Sequence, residues 1–97
     1  MEIHSSHLGK EFDISHRKLR KYNELPKDYV FRGGEIVYLE EKRRRATKDH
    51  IAYVVRSGDS MYSISQKFGV RLERLYKMNN MDPDSPAPKV GDILRLR

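Results

Sequence analysis

The side chains of this sequence that could move protons or hold a metal are scattered. Histidines stand at His4, His7, His16 and His50, and there is no cysteine. No His-Glu-x-x-His pair occurs to set two imidazoles one helical turn apart, so neither a metal site nor a cofactor is expected. His4 and His7 lie in a polar N-terminal stretch and read as solvated. Carboxylates are plentiful but fall on surfaces and turns. Nothing supplies the perturbed acid in a deep cleft that glycoside hydrolysis needs. The chain therefore reads as non-catalytic. The most promising feature is a corner, Gly58-Asp59-Ser60, in the stretch SGDSMYSISQKFG at 57–69. A glycine corner leaves backbone N–H and C=O uncovered. Asp59 or Ser60 can also cap a following helix by accepting its orphan N–H groups.

Such a corner must be held by the elements around it. Ile51 to Val55 is β-branched and aromatic and predicts a strand. Met61, Ile64 and Phe68 recur at i, i+3 and i+7, one face of a helix, and Gly69 offers a left-handed stop. A second helix is expected from about Arg71, with Leu72, Leu75 and Met78 on one side. The run Asp82-Pro83-Asp84-Ser85-Pro86-Ala87-Pro88 is rich in breakers and predicts a loop. Gly91-Asp92 opens a last strand, Ile93 to Arg97, whose Leu94 and Leu96 share a face. The fold class is thus α+β, a βααβ unit with two helices on one face of a two-stranded antiparallel sheet. Its expected core is Ile64, Phe68, Leu72, Leu75, Leu94 and Leu96.

Part of this arrangement occurs twice. FDISHRKLRKYNEL aligns with FGVRLERLYKMNNM at an offset of 56 positions, placing Leu19 on Leu75, Lys21 on Lys77 and Asn23 on Asn79. GGEIVYL then falls on VGDILRL with one residue of slippage. The pattern implies two copies of one supersecondary unit. By the same offset Met1 to Ile3 fall on Ser57-Gly58-Asp59, which leaves no residues for an opening strand. The sequence therefore divides into a partial repeat at 1–41, a basic linker at 42–49 and a whole unit at 50–97, as if the chain began inside a domain. In the first copy a helix is expected around His7 to Phe12, a second one is capped by Ser15, and Ile36 to Leu39 form a strand. An unpaired strand edge invites partners, so either residues around Glu2 to His4 supply a short pairing or two molecules associate there.

Composition narrows the function classes. With 97 residues, 37% hydrophobic and 35% charged, any core is small. The net charge of +6 is unevenly placed. Residues 1–49 hold 12 Lys/Arg against 9 Asp/Glu, and without Lys42-Arg43-Arg44-Arg45 the balance is 8 against 9. The basic excess in that half thus reads as a linker feature rather than a binding face. No apolar run nears the roughly 18 residues of a membrane span. The polar start MEIHSSHLGKEF carries no signal-peptide core, so an exported parent protein would make this chain an internal piece of it.

The stretch YVVRSGDSMYSISQKFGVRLERLYKMNNM, with its closing VGDILRLR, resembles a LysM domain. The marks are the Gly-Asp-Ser corner after a strand, the helix ending Phe-Gly-Val, the Leu-x-x-Leu helix ending in Asn, and the Val-Gly-Asp strand. The first half resembles the same family with its front missing. What the resemblance implies is a βααβ fold binding N-acetylglucosamine-containing glycans, peptidoglycan or chitin, in a shallow groove between two loops. Carried onto this sequence, one wall is Gly58, Asp59, Ser60 and Met61, and the other is Asn79, Asn80, Met81 and Pro83. In the first copy Asn23, Leu25 and Pro26 match. The tandem also resembles the C-terminal part of bacterial cell-wall hydrolases, which implies an exported module that anchors an enzyme in the cell envelope. An acetamido group offers one donor, one acceptor and a methyl, so the site needs spaced backbone groups beside a small apolar recess. Met61 and Met81 could line that recess, or Met61 could simply pack the helix pair. A rival reading is nucleic-acid binding, because Tyr22, Tyr29, Phe31, Tyr38, Tyr53 and Tyr76 lie among basic residues. Several of these fall on core positions, so nucleic acid is not the expected partner. A spacer that binds only protein is the third reading.

Overall fold

Strand, capped turn and amphipathic helix follow one another where the sequence places them. The computed structural model describes residues 2–3 and 15–97. The elements in chain order are β1 (Glu2–Ile3), α1 (His16–Tyr22), β2 (Glu35–Ile36), β3 (Ala52–Val54), α2 (Met61–Phe68), α3 (Leu72–Met78) and β4 (Ile93–Arg95). They form two compact units, residues 1–42 and residues 43–97.

The C-terminal unit is the βααβ fold. β3 and β4 pair antiparallel with Ala52 opposite Arg95, Tyr53 opposite Leu94 and Val54 opposite Ile93. At the start of α2, Ser60 and Ser63 form a reciprocal capping box, each side chain accepting the other's backbone N–H. Such a cap is worth about 1 kcal/mol. Gly69 ends the helix at φ 66°, ψ 31°, in left-handed backbone that a side chain would strain.

The core joins Ile64, Leu75, Leu94 and Leu96, as expected, to Ala46, Val55, Met61 and Val70. Phe68 and Leu72, also expected inside, are only half-buried and pack against that cluster. Phe68 sits at its rim because its ring meets Tyr53 edge-on at 5.3 Å and His50 at 5.1 Å. Within the stretch read as a linker, residues 43–46 are held by this unit. Arg43 donates to Gly69 O and accepts from Arg71 N, each at 2.8 Å, and Ala46 N donates to Leu96 O at 2.7 Å. Short backbone pairing of this kind needs no side-chain pattern, which is why the charge run hid it.

Asn79 locks the unit. Its Nδ2 donates to Leu75 O (2.8 Å) and Arg95 O (2.9 Å), and its Oδ1 accepts from Arg95 N (2.7 Å). One side chain thus satisfies an orphan carbonyl at the end of α3 and fastens β4 to it. Asn80 follows at φ 56°, the left-handed region that asparagine tolerates.

In the N-terminal unit, Ser15 caps α1 as expected, accepting from Lys18 N at 3.2 Å. Leu19 and Val37 are buried, with Phe31 and Leu39 packed on them. Asn23 repeats the clamp: Nδ2 donates to Leu19 O (2.8 Å) and Tyr38 O (2.9 Å), and Oδ1 accepts from Tyr38 N (2.7 Å). Glu24 follows at φ 52°. Its carboxylate forms an ion pair with the buried ammonium of Lys42, whose pKa burial lowers.

Of the two outcomes expected at the strand edge of the first copy, the short pairing by residues near Glu2 is the one found, so that copy does not lack an opening strand. Glu2 pairs antiparallel with Ile36 and Ile3 with Glu35, because the path from Ile3 to His16 is shorter than that from Val54 to Leu72. The constant offset therefore fails ahead of α1. The strand expected over Ile36 to Leu39 stops at Ile36, since Asn23 takes the Tyr38 backbone. The helix expected around His7 to Phe12, together with His4 and His7, lies outside the described residues.

Asn79→Ala should lose about 1–3 kcal/mol, because it leaves several polar groups short of partners in a small unit. Urea unfolding followed on C-terminal-unit amides would register this as a lower midpoint. An unchanged midpoint would show that the clamp is incidental.

Candidate functional site

The corner between β3 and α2 is built around one carboxylate. Asp59 Oδ2 accepts the Tyr53 hydroxyl at 2.5 Å and the Arg56 N–H at 2.8 Å. Asp59 N in turn donates to Arg56 O at 3.1 Å, closing the turn. The Tyr53 hydroxyl, and after it the Arg56 N–H, hold the Asp59 carboxyl below the usual carboxylate range. The same hydrogen bond, first among its causes, raises the Tyr53 phenol. Asp59 is thus charged at neutral pH and serves to fix the loop.

Gly58 rides on top of this turn at φ 85°, and no atom lies within 4 Å of where its Cβ would stand. Its N–H and C=O have no partner among the described residues. The left-handed backbone therefore favours glycine while the space above the corner stays open. Ser60 is exposed, but its N–H and hydroxyl are committed to the capping box.

The strand register brings the end of the second loop to the same end of the sheet, while its start is clamped at Arg95. Val55 N donates to Asp92 O at 2.8 Å and Gly91 N to Val55 O at 2.9 Å, lacing the start of one loop to the end of the other. Along that second loop the expected residues divide. Asn79 spends its amide on the clamp. Asn80 is exposed, and its side chain has no partner among the described residues. Met81 is half-buried against the core cluster that contains Met61, and Pro83 is exposed. Met61 is 4% exposed, which is the packing alternative for that residue. In the N-terminal unit Asn23 is buried in its own clamp, Leu25 is half-buried and Pro26 is exposed. Tyr53, read from the sequence as a strand residue and as one of the aromatics of the nucleic-acid alternative, is the orienting group that sequence reasoning missed. Its inward register beside a turn aspartate six positions on was the available signal.

Among the described residues no cluster of three or more His, Asp or Glu is placed to hold a metal. No helix among them is long and apolar enough to cross a membrane.

Against known families, residues 53–97 match the LysM domain. This part of the chain is a LysM domain. The match starts in β3 and ends after β4, so it spans the βααβ unit and both loops of the corner. A LysM domain is a binding module, not a catalytic one. Two curated proteins are similar over more than this domain. The probable peptidoglycan endopeptidase LytE of Bacillus subtilis is 28% identical over 93% of this chain and 28% of its own length. An autolysin of Enterococcus faecalis is 24% identical over 92% of this chain and 13% of its own. The chain therefore spans under a third of either relative. Among solved structures, the Bacillus cereus spore cortex-lytic enzyme SleL aligns with all of this chain and 22% of its own, at 26% identity and a TM-score of 0.44.

A group whose pKa is depressed by folding adds stability above its unfolded value, and that stability is lost as pH falls through the folded value. Carboxyl NMR should accordingly place the Asp59 midpoint below about 3.9, the ordinary aspartate value. Tyr53→Phe should move it back up toward that value. A midpoint unmoved by the substitution would mean the phenol does not hold the corner.

Proposed function

We propose that the LysM domain binds N-acetylglucosamine-containing glycan, that of peptidoglycan first and chitin second, at the corner 56–61 and the facing part of loop 79–83. The observation that carries this reading is the open Gly58 backbone, held by the Tyr53–Asp59 hydrogen bond, together with an exposed, uncommitted Asn80 amide on the second loop. A neutral acetamido sugar asks for that combination of fixed backbone groups and one adaptable amide. Met81, half-buried next to the corner's core, is the residue suited to the acetamido methyl.

The N-terminal unit is, on this reading, a second LysM-like copy. Supporting it are the repeated asparagine clamp, the left-handed residue after each clamp, and the equivalent turns Tyr29 N to Pro26 O and Ser85 N to Asp82 O, both 3.0 Å. The similarity to LytE and to the autolysin also runs across both units. Two weak sites on one chain gain avidity by about 10²-fold or more where the glycan reaches both. The role that follows is anchoring a cell-wall hydrolase to its polymer, in the envelope of a bacterium that exports it.

A sugar of about fifteen heavy atoms at about 0.3 kcal/mol per atom implies a Kd of roughly half a millimolar for one residue. Titration with N-acetylglucosamine oligomers should shift the amides of 56–61 and 79–83 and leave α1 unmoved at low occupancy. Asn80→Gly, which keeps the left-handed backbone, should weaken binding several-fold without lowering stability. Sodium chloride should barely alter the affinity, whereas phosphate binding would fall steeply. If neither chitin oligomers nor peptidoglycan fragments move those loop signals, the glycan reading is wrong.

A further inference from the structure

The LysM domain carries a concave feature away from the Gly58 corner. A recess of about 510 Å³ is lined by Arg44, Arg45, Arg74, Met78, Arg95 and Arg97. That volume lies in the range of small-ligand sites, about 300–1,000 Å³. The five guanidinium groups come from three places. Arg44 and Arg45 precede β3, Arg74 shares a face of α3 with Met78 at i, i+4, and Arg95 and Arg97 alternate along the β4 edge with buried Leu94 and Leu96.

Arginine stays charged at any pH a protein survives, and no carboxylate lines this recess. Two of the arginines are tethered in place: Arg95 Nε donates to Arg97 O and Arg97 Nη1 to Ala46 O, each at 2.8 Å. Arg74 Nε is buried and has no hydrogen-bond partner among the described residues. A buried donor left unpaired among like charges is costly, and a bound anion would remove both penalties together. Planar guanidinium forks match the tetrahedral oxygens of phosphate better than a single carboxylate, since several forks can engage one group. Arg95 stands opposite Ala52, at the other end of the strand pair from Val54 and the Gly58 corner.

We propose that this recess is an oxyanion site for phosphate groups on a flexible, non-aromatic phosphodiester polymer. A nucleic acid fits it less well, because no ring lines the recess for bases to stack on. His50, Tyr53 and Phe68 associate with one another instead.

The test follows the arginine Nε–H signals of the whole chain during titration with inorganic phosphate, a glycerol-phosphate polymer of about ten units, and oligothymidylate of equal charge. The expected result is that inorganic phosphate shifts Arg74 and Arg95. The polymer should bind at least tenfold tighter than free phosphate and than the oligonucleotide, and weaken as salt rises. Arg74→Gln should weaken polymer binding about tenfold or more. So should the pair Arg44→Gln and Arg45→Gln, which lies on exposed positions and keeps the test open if the buried change unfolds the domain. The control pair Arg17→Gln and Arg20→Gln, on α1, alters net charge equally and should leave polymer affinity within twofold. An equal loss in that control, free phosphate binding as tightly as the polymer, oligothymidylate binding as tightly as the polymer, or no arginine shift would each overturn the proposal. Binding of N-acetylglucosamine oligomers, measured on the same variants, reports separately on the glycan site.

Discussion

Asn79 converts the end of a short helix into an anchor for a strand of three residues. Neither element is stable alone: a seven-residue helix is far below the length that persists in water, and a two-stranded ribbon is marginal. By taking Leu75 O with one amide hydrogen and Arg95 O with the other, the side chain makes the two elements form together. With β4 fixed, Leu94 and Leu96 face Ile64 and Leu75, and the register with β3 follows. That register puts Val55 beside Gly91 and Asp92, and so brings the end of the second loop to the corner. The placement of β4 and the core thus depend on the same three hydrogen bonds. The N-terminal unit, whose described residues bury a smaller core, uses the same device at Asn23.

The elements of the C-terminal unit were legible because each carries its own local chemistry. The 3.6-residue spacing of Met61, Ile64 and Phe68, the Ser60 cap and the Gly69 stop act over one or two turns and need no partner to be recognised. What stayed hidden depends on contacts distant in sequence. Tyr53 reads as an ordinary strand aromatic until the turn folds Asp59 back onto its hydroxyl. Asn79 reads as a helix-ending residue until Arg95 arrives 16 positions later. Ala46 looks like part of a charged connector, yet it is among the most buried residues of the unit. The N-terminal strand pairing was foreseen only as one of two outcomes, for a different reason. A repeat offset measured on α1 and α3 was carried forward past a connection of different length.

Charge placement shows the same contrast. Counting along the chain assigned the basic excess to a connector, because Arg43, Arg44 and Arg45 are adjacent. In the folded domain they part company. Arg43 gives its backbone to Gly69 and Arg71, while Arg44 and Arg45 meet three arginines from α3 and β4. Arg95 and Arg97 alternate with buried leucines, so their common face was implicit in the strand period. Convergence with Arg74 was not.

The clamp and the lacing also bound the loop between α3 and β4 from both ends. Asn79 secures one end, and the Val55 hydrogen bonds to Gly91 and Asp92 secure the other. The clamp spans 15 positions in one unit and 16 in the other, with equivalent backbone partners and nearly the same distances. Insertion or deletion of a residue is therefore absorbed between the anchors. Beyond the core-packed Met81, the segment 82–90 adds no residue to the core cluster, so it can vary by natural drift or library randomisation while the scaffold beneath it stays the same.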